Sequence, residues 1–271
     1  MAQAAREVPR LDARLKVFLA ALCFPLSAAA FDHAHAAWSA LLRRHVVLVE
    51  GGKASQVRYT GMARERGLLK AYLEALSAVP ESEFQRWTRE EQMAFLINAY
   101  NAFTVDKILT RYPDIGSIWD FGRIFGQPFK DRFFTLLGRR SSLDHIEHEI
   151  LRKRYGEPRV HYAVNCASVG CPLLREEAYV ASLLESQLEV QTRRFLSDRS
   201  RNRLRDGRLE VSKIFEWFEK DFGDRARYFA RYAELLAERP EDRSLIERGG
   251  APISFLDYDW SLNDFASSSR R

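Results

Sequence analysis

T-R-E-E-Q-M-A-F-L-I-N-A-Y-N-A-F-T-V-D-K-I-L (residues 88–109) is the stretch whose reading decides the fold. Thr88 reads as an N-cap, and Glu91, three residues on, completes a capping box. The helix they open carries Met93, Phe95, Leu96, Ile97, Tyr100, Phe103 and Val105. It is apolar nearly all round, the pattern of a helix buried on every side. Asn98 and Asn101 interrupt it. Both are poor helix formers, and at i, i+3 they share a face. Two amides in a core need partners, so they either brace neighbouring loops or form the polar wall of a site.

Outward from this helix the chain alternates between helical and short extended patterns. Residues 34–49 read as a helix with Trp38, Leu41, Leu42 and Val46 on one face, ended by Gly51 and Gly52. Residues 56–59 read as a short strand and 64–77 as a helix. Beyond the central helix, residues 128–137 suggest a hairpin strand. Ser141 or Ser142 caps a helix over 143–154. Residues 159–165 alternate and are rich in Val and Tyr, a strand pattern. Helices follow over 179–195, over 212–222, over 225–238 and over 244–248, with a small strand at 207–211 and an aromatic close at 255–262. Many helices with few short strands predict an α+β fold. The expected architecture is a helix-rich single domain with a small sheet packed on the central apolar helix. A papain/transglutaminase-like arrangement is the candidate for it.

Residues 1–30 read as a cleavable signal peptide. Arg6, Arg10, Arg14 and Lys16 precede an apolar run over 17–26, and Ser27-Ala28-Ala29-Ala30 places small residues at −3 and −1 of a cut before Phe31. The run is shorter than the roughly 20 residues of a membrane span. Leu22 before Cys23 argues against a lipid-attachment site. Cleavage removes four of 42 basic and two of 37 acidic side chains, leaving 38 against 35, a net charge of +3. This small charge argues for no nucleic-acid partner. The basic run over 199–208 is interrupted by acids and lacks interleaved aromatics for base stacking. The expected organisation is a signal peptide (1–30), one domain (31–265) and a disordered tail (266–271). It implies a periplasmic or secreted protein with no integral membrane span after cleavage.

Chemistry concentrates in V-H-Y-A-V-N-C-A-S-V-G-C-P-L-L (residues 160–174). A strand running into a turn of small residues can expose Cys166 and aim backbone N–H groups at one point, as a nucleophile and its oxyanion site require. The thiolate is the reactive form, so Cys166 needs a neighbouring base or cation. His145, His148 and His161 are the candidates. Asp144 stands four residues before His148 and could orient it, with Glu147 as the alternative orienter. Three readings follow. Cys166 is a nucleophile with His148 or His161 as base. Or His145, His148, His161 and Cys166 ligate a metal such as zinc. Or Cys166 and Cys171 form a disulfide or redox pair, which an oxidising compartment permits. C-x4-C is not the C-x-x-C of thioredoxin-like proteins.

These motifs resemble the domain of unknown function 547 family. F-L-I-N-A-Y-N-A-F (95–103), S-L-D-H-I-E-H-E-I-L-R (142–152), H-Y-A-V-N-C-A-S-V-G-C-P-L-L (161–174), V-S-K-I-F-E-W-F-E-K-D-F (211–222) and Y-D-W-S-L-N (258–263) carry the resemblance in order. It implies that Asn98, Asn101, Glu147, His148, His161 and Cys166 occupy family motif positions. It also implies that His145 and Cys171 are less constant ones, which weakens an obligatory disulfide and a four-ligand metal site. Some relatives join the domain to glutaredoxin-like modules, which keeps thiol chemistry open.

The expectation is a Cys–His hydrolase or acyl-type transferase acting on a small-molecule or envelope substrate. Cys166 is the nucleophile and His148 or His161 the base. Asn98, Asn101 and Glu147 bind substrate or orient the imidazole. No metal or other cofactor is expected. The alternatives are a non-catalytic binding or scaffold module, and a thiol-disulfide or metal-binding protein using Cys166.

Overall fold

A run of β-branched residues cuts the first helix short. In the computed structural model, which describes residues 30–122 and 127–265, α1 (Ala36–His45) stops where V-V-L-V begins, and β1 (Val46–Val49) replaces the expected last helical turn. Valine side chains suit a pleated strand better than a helix. β1 pairs antiparallel with β2 (Ala54–Val57), from Val46 opposite Val57 to Val49 opposite Ala54. Gly51 and Gly52, both at positive φ, turn the chain between them. Next come α2 (Tyr59–Arg64), α3 (Arg66–Ala78) and α4 (Glu81–Phe84).

The central helix is α5 (Arg89–Leu109). Its capping box forms as read: Glu91 N–H donates to Thr88 Oγ1 at 3.2 Å, and Thr88 N–H donates to Glu91 Oε2 at 2.8 Å. Every residue from 93 to 105 is buried. The burial is supplied mainly by α3 and by the helix over 145–155, not by a sheet. The small strands form three separate sheets. β3 (Phe134–Leu136) pairs with β4 (Arg139–Ser141). A π-helix (His145–Tyr155) follows and ends at Gly156, which has φ 57°. α6 (Val160–Ala163) is one buried helical turn where alternation predicted a strand. Four residues are too few to separate the two periods.

α7 (Leu184–Leu196) leads into β5 (Arg203–Arg205) and β6 (Arg208–Ser212). The expected helix to Phe222 is broken into α8 (Ile214–Trp217) and α9 (Glu219–Phe222). α10 (Arg225–Ala230), α11 (Ala233–Leu236) and α12 (Pro240–Glu247) precede β7 (Ile253–Leu256). β6 pairs antiparallel with β5 and parallel with β7.

The protein is a helix-rich α+β fold with two apolar cores. One surrounds α5. The other gathers Tyr162, Phe195, Phe215, Phe222 and Phe229. α6 spans them, with Val160 in the first and Tyr162 in the second. Residues 1–29 of the expected signal peptide, and the tail 266–271, lie outside the described residues. Among the described residues no helix is long and apolar enough to cross a membrane.

One buried histidine near the start of α1 ties this packing to pH. His35 meets the Phe31 ring edge-on, and its Nδ1 is hydrogen-bonded to the Tyr72 hydroxyl at 2.7 Å. Its Nε2 is buried without a hydrogen-bond partner. Burial pushes its pKa down from 6.5 to about 4, with Asp32 opposing. The unfolded chain therefore binds this proton between those values and the folded chain does not. The neutral ring's contribution is full above pH 6.5 and declines as pH falls toward 4. In urea unfolding between about pH 7 and about pH 4.5, His35→Leu should lose up to about 3 kcal/mol less stability than the parent chain. Parallel stability curves for the two proteins would refute this.

Candidate functional site

The turn after α6 is held from both sides. Asn101 donates to the Ala163 carbonyl at 2.9 Å and accepts from Asn165 N–H at 2.8 Å. Asn165 in turn accepts from Ala167 N–H at 2.9 Å and donates to the Pro172 carbonyl at 2.8 Å. Ala167 takes a left-handed φ of 63°, a costly conformation for alanine, and its carbonyl accepts from Asn263 N–H. The chain end therefore lies against this turn, with Val169 N–H bonded to Ser261 and Gly170 N–H to Asp259, each at 2.8 Å. A Cβ at residue 170 would meet Asp259 backbone atoms and the Tyr258 ring at 3.0 Å, a tight contact that the glycine avoids.

Cys166 and Cys171 are joined by a disulfide across this turn. Tyr258 Oη lies 3.2 Å from each sulfur. Cys166 N–H points at Cys171 Sγ at 2.9 Å, and Ser168 Oγ is 3.5 Å from Cys166 Sγ. The hydrogen-bond partners of the Cys166 sulfur are thus hydroxyls, not an imidazole. In this state Cys166 has no thiolate to act as nucleophile. The N–H groups of Ala167, Val169, Gly170 and Cys171 are all engaged within the protein. The cluster of free donors expected for an oxyanion site does not form.

The disulfide lines a cavity of about 350 Å³. Glu147, His148 and His161 line it too, together with Asp144, Tyr100 and an aromatic wall that includes Trp217, Tyr258 and Trp260. The structure thus brings Cys166, His148, His161 and Glu147 to one cavity. Asn98 and Asn101 do not line it. Asn98 pairs with the Tyr179 backbone through both its amide atoms, at 2.7 and 3.0 Å. The two amides brace loops, and Asn101 acts on the site only through the backbone before Cys166.

The histidines differ sharply. His161 is buried, with Nε2 2.7 Å from Asp221 Oδ2 and Nδ1 3.5 Å from Glu147 Oε1. The second distance is long for a hydrogen bond but short for charge attraction. Arg152 clamps Asp221 through two nitrogens, with Nη2 2.9 Å from Oδ1. Burial alone would lower His161; the Asp221 hydrogen bond and the charges of Glu147 and Asp221 outweigh it and raise its pKa. Burial likewise opposes ionisation of Glu147 and Asp221, but His161 holds both below the usual carboxylate range, aided by Arg152 at Asp221. His161 is therefore an imidazolium held between two carboxylates, an arrangement that offers no base.

Arg152 also donates to His148 Nδ1 at 2.8 Å. That nitrogen accepts, so the ring hydrogen sits on Nε2, which lies 3.7 Å from Asp144 Oδ1. The π-helix accounts for the fate of His145. Its i→i+5 bonding winds a wider turn than an α-helix, so residues three apart no longer share a face. His145 lines a separate hollow with Arg139. The metal set of His145, His148, His161 and Cys166 accordingly does not assemble, and no other group of three or more such ligands is arranged to hold a metal among the described residues.

Tyr258, Asp221 and Arg152 are site residues that motif spacing did not single out. All three lie inside stretches that carried the family resemblance, but nothing local marks a tyrosine 92 residues from Cys166 as its neighbour.

Fold and site together define an α+β domain with a disulfide-bearing cavity at the seam of two cores. Residues 84–196 of the chain are a domain of the family described as "Protein of unknown function, DUF547". That match contains the asparagine, histidine and cysteine motifs and stops before Asp221 and Tyr258, so it is narrower than the motifs suggested. No curated protein matches the chain. No solved structure matches it either, so the papain/transglutaminase-like arrangement has no structural relative behind it.

Removing the imidazolium tests the charge network. His161→Phe leaves the Glu147 carboxylate buried without its cation, and denaturant unfolding should show a loss of about 3 kcal/mol or more. A loss within about 0.5 kcal/mol, typical of a surface change, would overturn this account.

Proposed function

We propose that this domain is a thiol–disulfide exchange module, with Cys166 and Cys171 as its reactive pair and the aromatic cavity as the seat of its partner. The observation that carries the reading is a disulfide lining an open cavity with hydrogen-bond donors aimed at one of its sulfurs. Cys171 is buried and Cys166 only partly so, which makes Cys166 the sulfur open to attack. An incoming thiolate forms a bond to Cys166 Sγ and the S–S bond breaks, releasing Cys171 as a thiolate. That anion forms where Cys166 N–H and Tyr258 O–H already point. Stabilising the leaving thiolate speeds exchange. A second thiolate then attacks the external sulfur of the mixed disulfide. It frees Cys166 as a thiolate and completes a two-electron transfer to the protein.

An oxidising compartment suits this chemistry and agrees with the export signal read at residues 1–30. The partner is then a small or protein-borne thiol of the cell envelope. The hydrolase or acyl-type transferase reading uses the same sulfur and requires it reduced.

Three measurements test the proposal. The native disulfide should be reduced by millimolar dithiothreitol without unfolding and should re-form on removal of reductant. Cys171→Ser, exposed to oxidised glutathione, should accumulate a stable mixed disulfide at Cys166 by intact mass. Tyr258→Phe should slow reduction roughly five- to tenfold, the loss of one charge-assisted hydrogen bond. A disulfide that opens only when the protein unfolds would sink the reading.

A further inference from the structure

The cavity's walls and its charge select a ligand. Trp119, Phe129, Trp217, Tyr258 and Trp260 form a continuous aromatic wall. Centroids are 5.7 Å apart for Trp119–Phe129, 5.2 Å for Trp119–Trp260, 4.5 Å for Tyr258–Trp260 and 4.9 Å for Trp217–Tyr258. Trp217 stacks on Trp260 at 5.7 Å yet remains 44% exposed, so a large aromatic side chain that lines the cavity also meets solvent.

Carboxylates line the same cavity as this wall. Glu147 and Asp221 are matched by His161 and Arg152. Asp144 is not matched in this way. Among the described residues its nearest basic side chain is His148, with Nε2 at 3.7 Å, and the other nitrogen of that ring is already occupied by Arg152. Among the described residues, then, a carboxylate that no lysine or arginine pairs with lines the cavity. Aromatic faces are themselves negative and attract cations, most strongly where water is thinned. A neutral ligand would use the rings and leave the carboxylate unanswered. An anion would be repelled by both.

We infer that the cavity binds a small molecule through an alkylammonium head, seated against the Trp217–Tyr258–Trp260 wall with its charge answered by Asp144. The volume suits such a ligand, since small-molecule pockets begin at roughly 300 Å³. The inference rests on reading this cavity as a ligand seat. It does not depend on the disulfide exchanging, because the rings and Asp144 are in place with the disulfide closed. In the exchange reading, the ligand would be a thiol carrying an amine, or would share the cavity with one.

The test is titration of the oxidised, full-length protein, followed by tryptophan fluorescence and calorimetry at fixed ionic strength. Choline is the cationic probe, 3,3-dimethylbutan-1-ol its neutral isostere and glucose a polyol control. Choline should bind saturably, the isostere roughly tenfold or more weakly, and glucose not at all. Asp144→Asn should bring choline's affinity down to that of the isostere, and Trp217→Ala should weaken choline at least fivefold. Equal binding of choline and the isostere, preference for glucose, no saturable choline binding, or an Asp144→Asn variant with unchanged affinity would each overturn the inference. Thiol exchange is scored separately with amine-free thiols, so failure of either reading leaves the other legible.

Discussion

Glu147, His161, Asp221 and Arg152 meet where the two cores meet, and much of the site follows from that contact. Their elements are the π-helix, α6 and α9. Taking four charged groups out of bulk water is costly, and mutual attraction compensates only when geometry and hydrogen bonding are good. Here the charges sum to zero and Asp221 receives donors from two sides. The Phe218 ring closes the group, stacked on His161 at 3.8 Å with the Arg152 guanidinium 4.9 Å from its centre. The network explains two features that look contradictory in isolation. His161 is the histidine nearest in sequence to Cys166, yet it is committed to carboxylates. His148 has an open face in the cavity, yet Arg152 fixes its tautomer.

The sulfur chemistry depends on a different constraint, the return of the chain end along the 166–171 turn. Backbone bonds from Val169, Gly170 and Asn263 fix that approach, and a glycine at 170 permits it. The return delivers Tyr258 to both sulfurs and Trp260 to the aromatic wall. It also engages the backbone donors of the turn, so they are not free to form an oxyanion site. One segment thus builds both the environment of the disulfide and the wall beside it. Tyr258 touches both sulfurs and lines the cavity.

Much of the fold was legible locally. The capping box at Thr88 and the all-round apolar pattern after it identified a central helix, because capping and burial leave their mark on adjacent residues. The need of Asn98 and Asn101 for partners was equally plain, and bracing loops was one of the two outcomes weighed. Local pattern failed where two signals overlapped. V-V-L-V continued a helical period yet paired as β1, because β-branched side chains and a waiting partner strand outweighed periodicity. Residues 160–163 alternated like a strand yet formed one helical turn, since the surrounding cores bury all four. The π-helix separated His145 from His148 although α-helical spacing joined them.

What the sequence by itself determined is the helix-rich α+β class, the central helix with two amides in need of partners, and the segments that supply the cysteine and histidine residues of the cavity. Those properties depend on residues within a few positions of one another. Only the tertiary structure decided what Cys166 faces. Its neighbours Tyr258 and the Cys171 disulfide, the commitment of His161 to Asp221 60 residues away, and the meeting of Asp144 and the aromatic wall in one cavity all arise from contacts between distant segments. Charge balance and hydrogen-bond saturation are properties of the assembled site, and no spacing along the chain encodes them.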